Sequence, residues 1–330
     1  MILVGWIVMA IVAYASMLIN RLVVINGTHP FEAIAVGVVL GALARNTGLI
    51  PPRWEPYLKK FEMPLLWGVV LLGAGFTTEI ARAEPLSLIV IFVTMAIGYW
   101  FIYFLARRVG LPKKLSALLS VGTTICGGSA IAITAPLIKA KEEETSYAVS
   151  TIVIAAFILL ITLPFLGKVM NLSQTAFGVW AGTSVHNTPQ TIGTGYMYGD
   201  KAGQVATMVK LTRNMFMIVV ALFVSLWIGT QESADKKLGK KAILKAFPWF
   251  LFGYIGMAIF KLLGFFTPQG IYWFLKSGKF LILMGMVGIG FGTDFRHIKK
   301  LGIKPLMVGI VGAIVVTAIS LLMVKSIGFH

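Results

Sequence analysis

Val121-Gly-Thr-Thr-Ile-Cys-Gly-Gly-Ser-Ala-Ile-Ala132 lies in the middle of a long apolar segment, and its reading decides the fold. Gly127 and Gly128 each cost roughly 1 kcal/mol relative to Ala inside a helix, and the hydroxyls of Thr123, Thr124 and Ser129 compete for backbone hydrogen bonds around them. A helix is expected to break here. Further on, Gly182-Thr183-Ser184-Val185 lines up with Gly122-Thr123-Thr124-Ile125, and the helix-hostile His186-Asn187-Thr188-Pro189 lines up with Cys126-Gly127-Gly128-Ser129. Within a bilayer, such backbone is tolerated only where protein buries it or it lines a cavity. Two interrupted apolar segments therefore define the chain, and the rest is read as what holds and moves them.

Composition fixes the surroundings. The chain is 58% hydrophobic and 12% charged, with a mean hydropathy of +0.87, far from the roughly 25% charged residues of soluble proteins. This is the composition of a polytopic membrane protein in contact with a lipid bilayer. The single cysteine, Cys126, excludes an internal disulfide framework and any multi-cysteine metal site, and no metal or cofactor is expected. The formal charge of +17 would point to nucleic acid on a soluble protein, but here it is read as the charge of cytoplasmic loops, with no nucleic-acid partner.

Apolar runs long enough to span, with shorter ones admitted where Gly or Pro interrupts, give eleven segments. They lie near 3–24, 32–44, 64–78, 86–106, 115–138, 146–167, 175–196, 204–228, 247–264, 271–293 and 305–325. In the first, Ala13-Tyr14-Ala15 imitates a cleavage site, but no basic region precedes the apolar core, so the segment is expected to stay as a transmembrane helix. The strongly basic connections, such as Arg107, Arg108, Lys113 and Lys114, or Lys236, Lys237, Lys240 and Lys241, all fall on one side of this arrangement. That side is expected to be cytoplasmic, which puts both termini outside.

An internal echo links the third and tenth segments: Leu72-Gly-Ala-Gly-Phe-Thr-Thr-Glu79 matches Val287-Gly-Ile-Gly-Phe-Gly-Thr-Asp294. In the derived orientation the copies run in opposite directions, as in transporters built from inverted repeats. The other reading is a helix-packing stretch that arose twice. The breaks in segments five and seven, by contrast, run the same way.

Charges inside the apolar segments are few. Lys210 and Arg213, three apart, share one helix face and combine a point charge with a planar fork, which suits an oxyanion. The alternative is that both reach to the outer interface. No segment interior holds an Asp or Glu, which argues against a bare cation as sole substrate; Glu79 and Asp294 lie at segment ends. Helix N-termini at the breaks supply partial positive charge, and Thr124, Ser129, Thr183, Ser184 and Thr188 supply hydroxyls. The expected substrate site comprises Thr123, Thr124, Cys126, Gly127, Gly128, Ser129, Thr183, Ser184, His186, Asn187, Thr188, Lys210 and Arg213. His186, Glu79 and Asp294 are the coupling candidates, although a histidine in a polar break more often simply holds carbonyls. Cys126 beside His186 lacks an orienting third residue, so an enzyme is not expected.

Ile125-Cys-Gly-Gly-Ser-Ala-Ile-Ala132, Ala135-Pro136 and Ile138-Lys-Ala-Lys-Glu-Glu-Glu144 resemble the YeiH-type family of bacterial inner-membrane proteins, named for sulfate export. So do Phe177-Gly178, Trp180-Ala-Gly182, Val185-His186, and Ala206-Thr207 with Val209-Lys-Leu-Thr-Arg213, so that the likeness runs from about residue 30 onward. It implies an all-α secondary transporter related to sodium/proton antiporters and bile-acid symporters, with two inverted five-helix repeats, discontinuous helices in a core domain, and elevator motion against a dimerising scaffold. On this chain that implies an extra helix over 1–30, a first repeat over 31–168 and a second over 173–328. The first break maps to Cys126–Ser129, and its mate is either His186–Pro189 or the glycine run holding Gly288, Gly290 and Gly292. Where many relatives carry an acidic residue after the histidine, this chain has Asn187. The expected activity is export of a small oxyanion such as sulfate or an organosulfur acid. A sodium- or proton-coupled organic-acid carrier, and a non-transporting receptor or enzyme, are the alternatives.

Overall fold

A computed structural model describes residues 2–22, 32–50, 62–228, 249–293 and 302–329, and every regular element among them is helical. Six helical stretches are long and apolar enough to cross a membrane: Leu3–Leu22, Pro85–Arg108, Glu142–Val169, Asp200–Ile228, Pro268–Gly292 and Ile303–Ile327. Side chains such as Ile11, Phe104 and Leu322 stand exposed along them, which is tolerable only against lipid. The chain is a multi-pass membrane protein.

It divides into two compact units, each drawn from both halves of the sequence: Met1–Thr78 with Trp249–Arg296, and Glu79–Pro248 with His297–His330. In the first unit α1 (Ile2–Leu22), α2 (Ala33–Asn46), α3 (Glu62–Leu72) and α12 (Trp249–Leu262) surround or abut α13 (Pro268–Gly292) and its neighbours. Membrane helices gain no hydrophobic driving force from one another, so close approach of small residues has to hold them. Gly41 and Gly290 are such a contact: a Cβ on Gly41 would strike the Val287 carbonyl, and one on Gly290 the Val38 carbonyl. Gly68 and Gly278 repeat the arrangement, each looking at the other's carbonyl oxygen. Met9 and Ala13 of α1 pack with Leu283, Val287 and Phe291 of α13, so the first apolar segment is part of a folded core. Asn46 Nδ2 ties the unit together by donating to the carbonyls of Ala42 and Thr293, each at 2.8 Å.

The glycine run of α13 corrects one expectation. Helix α13 continues through Gly288 and Gly290 to Gly292, so the run is no break. Glycine is compatible with a break and with close packing, and at Gly290 the backbone of α2 lies where a side chain would otherwise stand. Its sequence echo behaves differently: α3 stops at Leu72, and Gly73–Gly75 tighten into a 3-10 turn against the Tyr254 carbonyl of α12.

The second unit contains α4 (Thr78–Arg108), α5 (Lys113–Thr124), α6 (Gly128–Leu137), α7 (Glu142–Val169), α8 (Gln174–Ser184), α9 (Thr188–Tyr198), α10 (Asp200–Met215), α11 (Met217–Ile228) and α14 (Ile303–Ile327). The segments expected near 115–138 and 175–196 are each two helices, separated at 125–127 and 185–187. Glycines again set the spacing. Gly178 and Gly182 of α8 face Val205 and Val209 of α10, while Gly195 of α9 lies against Gly203 of α10. This packing brings the buried face of α10 against both halves of the second interrupted segment. Trp180 Nε1 donates to the Thr317 carbonyl at 2.9 Å and fastens α8 to α14. The turn after α6 holds Lys139 at φ 49°, and α7 opens on Glu142, Glu143 and Glu144. Three carboxylates suit the positive end of that helix, and Glu144 also accepts the Lys141 N–H at 2.9 Å.

Candidate functional site

The two interruptions lie side by side, and α10 crosses them with Lys210 and Arg213, both fully buried. Lys210 Nζ donates to the carbonyls of Ile125 at 2.8 Å, Val185 at 2.9 Å and His186 at 2.5 Å. Three acceptors need three N–H groups, which is the full complement of an ammonium. Arg213 donates from Nε to the Thr124 carbonyl at 2.7 Å, from Nη1 to Thr183 at 2.6 Å, and from Nη2 to Thr123 at 2.9 Å. Both side chains are fully buried and end on backbone carbonyls, so neither snorkels.

These acceptors are the last carbonyls of α5 and α8, with those of the breaks just beyond. A helix C-terminus leaves its final carbonyls without intrahelical donors and carries about half a negative charge. One ammonium and one guanidinium therefore close two helix ends at once. Burying two cations costs several kcal/mol each, which the full set of charged hydrogen bonds offsets. Among the described residues the buried charged side chains are Arg45, Lys210 and Arg213, with no carboxylate among them.

His186 joins this side of the crossing. Its Nδ1 lies 3.0 Å from the Thr123 carbonyl, and because a carbonyl only accepts, Nδ1 carries the proton there. Nε2 is buried without a partner, as is the Ser184 hydroxyl. The expected hydroxyl donors are mostly spent: Thr123, Thr124 and Thr183 donate back to the carbonyls of Leu119, Ser120 and Val179 in their own helices. Cys126 is buried with its sulfur 3.1 Å from Met217 Sδ.

The other side of the crossing differs. Here α6 and α9 begin, and Gly128, Asn187, Thr188 and Pro189 are half-buried while Ser129 is exposed. Asn187 Oδ1 accepts the Gly128 N–H at 3.3 Å, and Asn187 Nδ2 donates to Gln190 Oε1 at 2.8 Å. Gly127 stands at φ 68° and ψ −125°, a conformation other residues rarely adopt, and a Cβ there would run into Asn187 Oδ1. Its neighbour Gly128 has nothing within 4 Å of where a Cβ would stand.

The structure thus gathers Thr123, Thr124, Cys126, Gly127, Gly128, Ser129, Thr183, Ser184, His186, Asn187, Thr188, Lys210 and Arg213 around one crossing. It sorts them into a buried carbonyl side and a half-open N–H side. Gly288, Gly290 and Gly292 belong to the other unit. Asp294 lies outside the described residues, and Glu79 lies in the first turn of α4 with its side chain outside them. Asn214 was not anticipated: it is buried, and its Nδ2 donates to Thr188 Oγ1 at 3.0 Å. The usable signal was its position four residues after Lys210, on the same face of α10. Among the described residues, no three His, Cys, Asp or Glu side chains gather as a metal site would require.

Residues 4–309 match the family model described as Conserved hypothetical protein 698. A UPF0324 membrane protein of Clostridium tetani is 30% identical over 343 aligned residues, covering 98% of this chain and 97% of that protein. Another from Fusobacterium nucleatum is 30% identical, with 91% of each chain covered, and one from Bacillus cereus is 30% identical over 80% of this chain and 78% of its own.

Proposed function

The chain belongs to the Conserved hypothetical protein 698 family of UPF0324 membrane proteins, and from that premise we propose that it is a secondary active transporter exporting a small oxyanion, such as sulfate or an organosulfur acid. One observation carries the reading: two interrupted helices meet at a crossing that holds two buried cations and no buried carboxylate among the described residues. Such a crossing has a positive surplus, and it draws an anion to whichever side opens. Lys210 and Arg213 contribute as fixed charge behind the site, since their hydrogen bonds go mostly to backbone.

In this proposal the protein sits in the bacterial inner membrane with about eleven spans, inverted five-helix repeats and both termini outside. The interruptions belong to a core domain that undergoes elevator motion against a dimerising scaffold. Alternating access of this elevator kind fits a chain whose two compact units each recruit residues from both halves of the sequence. No cofactor or enzymatic step enters the cycle.

Reconstitution into proteoliposomes tests it. Radiolabelled sulfate, sulfite and methanesulfonate are to be followed in counterflow, with an imposed sodium or proton gradient as a separate arm. Anion accumulation above that of protein-free liposomes is the expected result. Binding without translocation by any of these anions would instead identify a receptor, and flux of carboxylates alone under an ion gradient would identify an organic-acid carrier.

A further inference from the structure

The half-open side of the crossing contains a polar group with no partner. Asn214 is 7% exposed, its Nδ2 donates to Thr188 Oγ1, and its Oδ1 has no partner. Thr188 is the first residue of α9, so this amide stands at the N-terminal end of that helix. A hydroxyl both donates and accepts. The amide can therefore turn over, keep Thr188 as its partner, and offer its NH2 to an incoming acceptor.

Space and exposure coincide here as well. Gly128, the first residue of α6, faces open space where a Cβ would stand, next to exposed Ser129 and half-buried Asn187. Around this opening the N–H groups that begin α6 and α9 have few intrahelical acceptors. The Gly128 N–H has only the Asn187 amide oxygen at 3.3 Å, and the Cys126 sulfur takes the Ala130 N–H and the Ser129 hydroxyl. Thiol sulfur is a weak acceptor, one that an anionic oxygen displaces.

Charge then selects the ligand. Two full positive charges, Lys210 and Arg213, stand behind two helix C-termini worth about half a negative charge each, while two helix N-termini worth about half a positive charge each face the opening. What remains is about two positive charges at one locus. A monoanion leaves half of that surplus buried, whereas a dianion balances it.

We propose that a doubly charged oxyanion seats over Gly128 at the N-terminal ends of α6 and α9, with the Asn214 amide as one of its side-chain ligands. This deepens the anion-carrier reading and rests on it. Monoanionic sulfonates of similar shape bind more weakly, because the same donors meet half the charge.

Thermal-shift titration of the purified full chain separates the two layers. Sodium sulfate is compared with sodium methanesulfonate at equal sodium concentration and ionic strength. Three variants are titrated beside wild type: Gly128→Ala, whose methyl fills the opening without touching protein; Asn214→Asp, which keeps its Thr188 contact but opposes an anion; and Ser129→Asp, which adds a carboxylate at an exposed helix start that tolerates one. The expected result is sulfate binding at least tenfold tighter than methanesulfonate, weakened at least tenfold in Ser129→Asp and in whichever of the other two keeps a wild-type melting temperature without ligand. Equal affinity for the two anions overturns the charge assignment. Wild-type sulfate affinity in Ser129→Asp or in a folded Gly128→Ala overturns the location, while the carrier reading stands. No stabilisation of the wild-type protein by either anion, together with no anion flux, removes the carrier reading itself.

Discussion

Arg213 Nη2 donates to the Thr123 carbonyl at 2.9 Å, and the same carbonyl takes His186 Nδ1 at 3.0 Å. A side chain from α10 and one from the second interruption thus share an acceptor at the end of α5. The two interruptions are held to each other through polar bonds. Removing either partner exposes the backbone beneath it.

Arg213→Ala strands the carbonyls of Thr124 and Thr183 in a buried place and leaves that of Thr123 to His186 alone. Each unsatisfied buried group costs about 1–3 kcal/mol. The expected outcome is a large loss of folded yield and a melting temperature several degrees lower in detergent. Arg213→Lys recovers only part of the loss, because a point charge cannot reach three divergent carbonyls as the fork does. Comparing the melting temperatures of the two variants checks this.

His186→Asn should be milder than His186→Ala. Asparagine keeps an N–H near the position of Nδ1 and can still donate to Thr123, whereas alanine removes the donor and leaves a cavity. A difference of about 1–3 kcal/mol in stability between the variants is expected. Flux that keeps its pH profile in His186→Asn assigns the residue to holding backbone, and a flattened profile assigns it to proton coupling.

Gly127→Ala and Gly128→Ala should part company in stability although the residues are neighbours. The first puts a methyl into Asn187 Oδ1 at a backbone conformation that disfavours alanine. A cost of at least about 2 kcal/mol is expected. The second meets nothing. Melting curves without ligand decide this, with Gly128→Ala near wild type.

Gly41→Ala and Gly290→Ala should each destabilise the protein by about 1–3 kcal/mol, since either methyl would push α2 away from α13. Neither touches the interruptions. The sulfate concentration giving half of the thermal shift should stay at its wild-type value in both, and a changed value would tie the glycine run to ligand binding.

The two interruptions were readable because their residues are individually hostile to helix, and Lys210 and Arg213 because charge in an apolar segment stands out. What those cations do was not readable. The sequence places them three apart on one face but says nothing of which end of a neighbouring helix that face meets, and the carbonyl ends met them. Thr124 and Thr183 show the same gap: a threonine hydroxyl inside a helix chooses between a ligand and the carbonyl one turn back, and these chose the carbonyl. The run from Gly288 to Gly292 was ambiguous because its role depends on α2, far away along the chain. Asn214 gives a weaker signal than its two charged neighbours because an amide is common in polar helices, and only its spacing from Lys210 marks it.

The first compact unit needs Trp249–Arg296 to complete a core begun by Met1–Thr78. During synthesis, α1, α2 and α3 therefore enter the bilayer long before α13, the main packing partner of α2 and α3, has been made. Gly41 and Gly68 meanwhile present bare backbone to lipid or to transient neighbours, including the same helices of another nascent copy. Assembly of this protein is thus a matter of waiting: its earliest helices must stay apart from wrong partners until the ribosome delivers the right one.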